Sequence, residues 1–172
     1  MEHVPARSPW HTLWEKLKIT EPDLVTDFFI VFSRFEYALK CCGYLRQNID
    51  DAEPDWVAFG TKNDNKQRFD SDANAELKQA VEYLVKHPPR KQIRTSRDSF
   101  KYEAKPLGGQ SGLHETVLAI KRVRNNLFHG GKFPNGPVED PARDVDLLRH
   151  SLTVLEHILE LDDRVQRFFW EA

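Results

Sequence analysis

Residues 21–43, with the sequence EPDLVTDFFIVFSRFEYALKCCG, decide the fold class. Their apolar side chains recur every three or four residues, at Phe28, Val31, Phe32, Phe35, Leu39 and Cys42. This spacing places them along one face of an α-helix. Glu21 and Pro22 suit the N-terminus of such a helix, and Gly43 lies near its end. The stretch is therefore predicted to be a long helix that buries one face in the core.

Three other segments repeat this helical pattern, and they cover residues 73–87, 111–128 and 141 to the C-terminus. Asp72 is a plausible cap of the first segment, and Asp140-Pro141 is a strong start for the last. The sequence therefore predicts an all-α bundle of four or five helices.

A polar region lies between the helix predicted over residues 73–87 and the helix predicted over residues 111–128, which are the third and fourth helices of the bundle. Pro88-Pro89 ends one helix, and residues 88–110 form a basic insertion before the next. Within it, apolar and aromatic side chains flank the sequence SRDS at 96–99, which predicts a small β-hairpin. Residues 88–97, PPRKQIRTSR, are the clearest basic cluster of the chain. They are either a local contact site for RNA or an ordinary solvated surface.

The rest of the chain has weaker patterns. Residues 1–22 are expected to be an N-terminal arm with a short amphipathic helix, residues 56–60 a helical turn, and residues 62–70 a loop or frayed helix. With 172 residues, of which 40% are apolar, the chain fits one domain over residues 1–172. The four tryptophans are expected in the core or an interface more often than stacked on bases, and they are Trp10, Trp14, Trp56 and Trp170.

Charge and cysteine content limit the classes of function. The formal net charge is −2, so any RNA contact must come from a local cluster rather than a global basic excess. The two cysteines, Cys41 and Cys42, are adjacent in a helical pattern and point apart, so they are expected to form neither a disulfide nor a metal site. Without a signal peptide or an apolar run of membrane length, the chain is expected to be cytoplasmic.

Arginine and histidine lie a few residues apart in three places: Arg124 with His129, Arg122 with His129, and Arg143 with His150. In a chain of this composition, about one or two such matches arise by chance. Arg143 and His150 are interpreted as solvent-facing residues of an amphipathic helix. The first pair differs in its context, because the polar Asn125 follows the arginine and Gly130-Gly131 follows the histidine.

This context suggests a chemical role. Arg124 and His129 are about 7.5 Å apart along a helix and rotated by about 140°, so the glycine pair is needed to bring the histidine back toward the arginine. RNA carries its own nucleophile, the 2′-hydroxyl, and its cleavage needs proton transfer and positive charge near the phosphate. Histidine transfers protons near neutral pH, and arginine binds phosphate oxygens through a planar fork. Such a site needs no metal and no cofactor.

Two segments carry a resemblance to a known family. Residues 121–132, KRVRNNLFHGGK, resemble the arginine, polar residue and histidine motif of the HEPN superfamily of ribonucleases. Residues 32–44, FSRFEYALKCCGY, resemble the first core helix of several HEPN families. The PPRKQ segment at 88–92 is also similar to a plasmid-borne HEPN family.

The resemblance implies a metal-independent endoribonuclease that acts in toxin–antitoxin, abortive-infection or anti-phage systems. By this carry-over Arg124 and His129 are catalytic, and Asn125 is the supporting polar residue. The substrate-binding candidates are Lys121, Arg122, Lys132, Glu36 and Lys40. One protomer supplies one arginine and one histidine, which is half of an acid and base pair, so a homodimer is predicted. RNA is the expected partner, together with an antitoxin or another regulatory protein.

Several alternatives stay open. His129 is also the residue expected of a helix C-cap, where a positive ring meets the helix dipole. Arg124 alternatively forms a structural ion pair with Glu115 or Glu36. Glu36 and Lys40 are four residues apart, which also suits an exposed helical ion pair. A non-catalytic HEPN module that binds RNA, a nucleotide or a protein is the rival function.

Overall fold

The computed structural model describes residues 21–71, 74–128 and 140–171. Within these ranges the chain forms seven α-helices and one two-stranded antiparallel sheet. The predicted helical class and the small hairpin are therefore confirmed, but the expected count of four or five helices is too low. The elements are α1 (Pro22–Cys41), α2 (Trp56–Thr61), α3 (Asn63–Ser71), α4 (Ala75–Lys86), β1 (Lys91–Ser96), β2 (Ser99–Glu103), α5 (Gly112–Phe128), α6 (Pro141–Leu159) and α7 (Asp163–Trp170). None of the helices described has both the length and the apolar character needed to cross a membrane.

The first long helix, α1, is the centre of the core. It begins after Glu21 with a proline in its first turn, and it buries the predicted apolar stripe against α6 and α7. The indole ring of Trp56 is fully buried between Phe32 and Phe35, with ring centroids 5.2 Å from each. Removing an aromatic side chain of this kind typically costs about 3–5 kcal/mol. This packing fixes the start of α2 against the middle of α1.

The helices around the candidate site follow from the same core. Helix α5 packs against α2 and α4, and α4 packs against α6. On α5 the buried face includes Leu113, Val117, Ile120 and Val123, while Leu127 is half-buried. The predicted inner face of this helix is therefore confirmed. Arg124 lies beside this face rather than within it.

The polar stretch before α4 is more ordered than the sequence predicted. Residues 62–70 were expected to be a loop or frayed helix, but residues 63–71 form α3, which buries Asn65 and Phe69. Helix α4 begins after Asn74, whose side-chain oxygen accepts a hydrogen bond from the Leu77 amide at 2.8 Å. Asn74 is therefore its cap, because a capping oxygen must reach the amide of the second or third helical residue. Asp72, the cap that the sequence suggested, lies outside the described residues.

The sequence suggested one helix from residue 141 to the C-terminus, but the structure has a break in this segment. Helix α6 ends at Leu159, and Asp162 starts α7 by accepting bonds from the amides of Arg164 and Val165. The other oxygen of Asp162 accepts bonds from the Tyr44 hydroxyl at 2.7 Å and the Lys62 ammonium at 3.0 Å. Burial alone would raise the pKa of Asp162, but these hydrogen bonds outweigh it and lower the pKa. This half-buried polar contact lies at the point where α6 gives way to α7.

The hairpin of β1 and β2 lies where the sequence predicted it. Lys91 pairs with Glu103 and Arg94 with Phe100, and the register shifts at the turn near Ser96. Two expectations fall outside the described residues: the N-terminal arm over residues 1–22, nearly all of it, and the helix stop at Gly130-Gly131.

Candidate functional site

The last two turns of α5 carry most of the predicted site, and their side chains point to two different neighbours. Arg124 lies on the side that faces α1, and its guanidinium contacts the side chain of Asn125. Arg122 and Asn126 lie on the side that faces the hairpin. The two arginines are only two residues apart, yet a helix rotates by about 200° over two residues. The structure therefore separates residues that the sequence grouped together.

The Arg124 guanidinium is held by side chains. One nitrogen donates to the Asn125 side-chain oxygen at 3.0 Å, and another lies 3.8 Å from a carboxylate oxygen of Glu36. Its central carbon lies 5.7 Å from the ring centroid of Phe32 and 5.4 Å from that of Phe128. The side chain remains 34% exposed. Arg124 is thus oriented by its surroundings but still reachable by a ligand.

Glu36 is the partner of Arg124 that the sequence left open, and Glu115 is not. The Glu36 carboxylate accepts a hydrogen bond from the Trp56 indole nitrogen at 3.1 Å through one oxygen and faces Arg124 with the other. It therefore points across to α2 and α5 and does not pair along its own helix. Lys40 lies one turn further along α1, half-buried, outside the described contacts of Arg124.

Lys121 lies on the same side of α5 as Glu36. Burial lowers the pKa of Lys121, while the Glu36 carboxylate opposes this shift. Lys121 is thus partly withdrawn from water and lies within electrostatic range of the carboxylate that also faces Arg124. The structure thus brings three predicted residues into contact, and they are Arg124, Asn125 and Glu36.

Arg122 has a different environment from the one predicted for a substrate-binding residue. Its guanidinium donates to the backbone carbonyls of Pro89 at 3.2 Å, Lys105 at 2.7 Å and Pro106 at 3.1 Å. These carbonyls belong to the two ends of the insertion, before β1 and after β2. One turn later, the Asn126 amide donates to the Arg90 carbonyl at 2.8 Å. Arg122 therefore attaches the hairpin to α5.

Arg143 and His150 are not the solvent-facing pair that the sequence suggested. Arg143 donates to the carbonyls of Pro88 at 3.1 Å and His87 at 3.4 Å, also at the start of the insertion. The His150 ring lies 4.4 Å from the ring of Tyr83, and burial lowers its pKa. Both residues are half-buried because α6 packs on α4 at this point. The prediction that they face solvent is wrong.

Aromatic side chains form the wall beside Arg124, and the sequence analysis missed them. Phe29 and Phe128 are 48% and 45% exposed, and their ring centroids are 5.2 Å apart. A signal was present, because Phe29 and Ile30 fall outside the buried stripe of α1 and yet are apolar. Exposed apolar side chains that cluster in this way are typical of a surface that binds a partner molecule.

The remaining predicted residues lie outside the described part of the chain. These are His129 and Lys132, together with the glycine pair between them. Within residues 21–71, 74–128 and 140–171, no three His, Cys, Asp or Glu side chains are grouped so that they could hold a metal ion. Comparisons with protein-family models, curated proteins and solved structures found no match for this chain.

Proposed function

We propose that this protein is a metal-independent endoribonuclease of the HEPN type, with Arg124 and His129 as its catalytic residues. The observation that carries the proposal is the environment of Arg124, which is oriented by side chains and remains partly exposed. Of the three candidate arginines, Arg122 and Arg143 bind backbone carbonyls, whereas Arg124 is oriented by side chains and partly exposed. It lies near the end of α5, five residues before the predicted histidine. The side-chain oxygen of Asn125, the polar residue of the motif, accepts a hydrogen bond from the Arg124 guanidinium and so orients it.

The proposed reaction uses the RNA as its own nucleophile. The 2′-oxygen forms a bond to phosphorus, and the bond from phosphorus to the 5′-oxygen breaks. A base accepts the proton of the 2′-hydroxyl, and an acid gives a proton to the leaving 5′-oxygen, so the products are a 2′,3′-cyclic phosphate and a 5′-hydroxyl. Arg124 stabilises the extra negative charge on the phosphate, and His129 transfers a proton. Lys121 and Lys132 contribute charge that attracts the substrate.

A second copy of the chain completes the site in this proposal. One His129 serves as base and the other as acid, which a two-fold dimer achieves when its axis passes near the two motifs. Phe29 and Phe128 support this arrangement, because the exposed Phe128 ring lies beside Arg124 and the exposed Phe29 ring packs on Phe128. Analytical ultracentrifugation is expected to show a dimer, and a monomer at micromolar concentrations would contradict it. Bacterial toxin–antitoxin or anti-phage defence is the proposed setting.

The decisive experiment is cleavage of RNA by the wild type and the His129→Ala variant in excess chelator. We expect cleavage by the wild type, products with 2′,3′-cyclic phosphate ends, and no cleavage by the variant. His87→Ala is the matched control, because His87 is exposed and lies next to the start of the insertion rather than next to Arg124. Equal cleavage by the wild type and His129→Ala, or none by the wild type, would refute the proposal.

One observation favours a second candidate function, a non-catalytic module that binds RNA, a nucleotide or a protein. The Glu36 carboxylate lies 3.8 Å from Arg124 and is fixed by Trp56, so it offsets part of the positive charge that catalysis would need. RNA binding without cleavage under every condition tested, unchanged in His129→Ala, would support the module instead.

A further inference from the structure

Residues 90–105, here called the basic hairpin, concentrate positive charge on a chain that is acidic overall. They contain six basic and two acidic residues, whereas the formal net charge of the whole chain is −2. All six basic side chains are exposed, and they are Arg90, Lys91, Arg94, Arg97, Lys101 and Lys105. Glu103 faces Lys101 at 3.4 Å and Lys105 at 3.1 Å, so one carboxylate is shared between two lysines. The excess of positive charge therefore remains.

The tip of the basic hairpin combines this charge with an aromatic ring. Phe100 is 48% exposed, and its ring meets the ring of Tyr102 edge to face at 6.1 Å. The Tyr102 hydroxyl is buried, with no hydrogen-bond partner among the described residues, so the Tyr102 ring faces the body of the protein. Arg94, opposite Phe100, donates to the carbonyls of Ser96 and Arg97 and so stabilises the turn. The exposed ring is therefore held in place rather than loose.

The basic hairpin is attached to the helix that carries the candidate catalytic residues. Arg122 binds carbonyls on both sides of the hairpin, and Asn126 binds the carbonyl of Arg90. Arg122 and Asn126 bracket Arg124 in the sequence of α5. Any ligand bound along β1 is therefore held in a fixed relation to Arg124.

We infer that the basic hairpin is a binding arm for single-stranded RNA, which holds the strand on the same helix as Arg124 but on the side that Arg122 and Asn126 face. Lysine and arginine side chains neutralise phosphates, and an exposed, immobilised aromatic ring stacks on an unpaired base. An acidic protein would use the charge but not the flat ring, so RNA fits both features. The inference rests on the proposed function in one respect: the strand that the hairpin binds is the strand that Arg124 acts on.

The test is the binding of a single-stranded 2′-O-methyl RNA of about 12 nucleotides, which cannot be cleaved by its own 2′-oxygen. Fluorescence anisotropy compares the full-length wild type with Arg97→Ala/Lys101→Ala and with Phe100→Ala. We expect the double variant to bind about tenfold more weakly at 0.1 M salt, with a salt slope smaller by about 1 to 1.5. We expect Phe100→Ala to lose about tenfold in affinity with an unchanged salt slope.

The matched control is Lys66→Ala/Lys78→Ala, which removes the same charge from α3 and α4 and is expected to bind like the wild type. Wild-type affinity in both hairpin variants, or equal binding of the wild type to poly-glutamate, would overturn the inference. Cleavage of unmodified RNA separates the two ideas. If the wild type cleaves RNA and the hairpin variants bind it normally, the proposed function stands and the binding arm is refuted. If binding depends on the hairpin but no cleavage occurs, the binding arm stands and the proposed function is refuted. Neither binding nor cleavage by the wild type refutes both.

Discussion

The two sides of α5 use the same residue type for different purposes. On one side Arg122 donates to three backbone carbonyls that join the insertion to the helix. On the other side Arg124 contacts an amide oxygen, a carboxylate and two aromatic rings. Carbonyls at the ends of a loop need donors wherever the loop is packed, so an arginine bound to them is structural. An arginine that is oriented by side chains and is partly exposed can exchange a partner for a ligand.

The structural side is reinforced from a second helix. Arg143 of α6 donates to the carbonyls of His87 and Pro88, next to the Pro89 carbonyl that Arg122 binds. Pro88 and Pro89 have no N–H groups and cannot take part in regular backbone pairing through a donor. Two arginines from two helices therefore satisfy the oxygen atoms at the base of the hairpin. Two of the three arginine–histidine matches in the sequence are accounted for by this loop attachment.

The largest expected effect is on the Arg124 side. Arg124→Ala is expected to lower the rate of RNA cleavage about 10²- to 10³-fold, because it removes a charge aimed at the phosphate. Stability should change by less than about 1 kcal/mol, since the residue is a partly exposed ion-pair partner. Single-turnover cleavage assays and urea denaturation measure the two quantities. Arg124→Lys is the control that keeps the charge without the planar fork, and full activity in Arg124→Ala would remove Arg124 from the site.

The same substitution on the other side is expected to show the opposite balance. Arg122→Ala leaves three carbonyls without their donor and should lower the free energy of unfolding by about 2 kcal/mol. Arg143→Ala, with two such bonds at longer distances, should cost about 1 kcal/mol. Urea denaturation gives both values. If Arg122→Ala is as stable as the wild type but has lost RNA cleavage, then Arg122 belongs with Arg124 and the distinction between the two sides is wrong.

A smaller effect is expected on the pH dependence of stability, and it concerns His150 of α6, the helix that also carries Arg143. Burial of the ring lowers its pKa, and the Asp146 carboxylate opposes this shift. The unfolded chain therefore binds the proton more readily, so this residue reduces stability as the pH falls from about 7 to about 5. His150→Gln should flatten the pH dependence of the free energy of unfolding in that range and leave cleavage unchanged. Asp146→Asn should steepen it, and the same slope in all three proteins would refute this assignment.

The sequence predicted most of the fold because its periodicities are strong. The stripe from Phe28 to Leu39 and the apolar face of α5 lie where their spacing placed them. The exceptions depended on long-range contacts. The break between α6 and α7 is made by Asp162 together with Tyr44 and Lys62, which lie about a hundred residues earlier in the chain. A helical repeat in the sequence carries no trace of such a partner.

The candidate site was less predictable for a similar reason. The sequence grouped Lys121, Arg122 and Arg124 by proximity, but the direction of each side chain depends on what packs against α5. The carbonyl partners of Arg122 become visible only when both ends of the insertion meet the helix. Glu36 was a candidate partner of Arg124 from the sequence, but Trp56, which fixes it, was expected only as a core or interface residue.

The smallest expected effect tests whether the contact with Glu36 restrains Arg124. Glu36→Gln removes the negative charge beside Arg124 while leaving an oxygen for the Trp56 indole. Because exposed ion pairs contribute about 0.2–1 kcal/mol, the affinity for uncleavable RNA should rise about two- to fivefold, with little change in Tm. Anisotropy titrations measure this, and Glu115→Gln on α5 is the control with the same change in charge. A fall in cleavage at unchanged affinity would contradict this role. It would mean that Glu36 positions Arg124 for the reaction. The contact between Glu36 and Arg124 would then belong to the catalytic side of the helix.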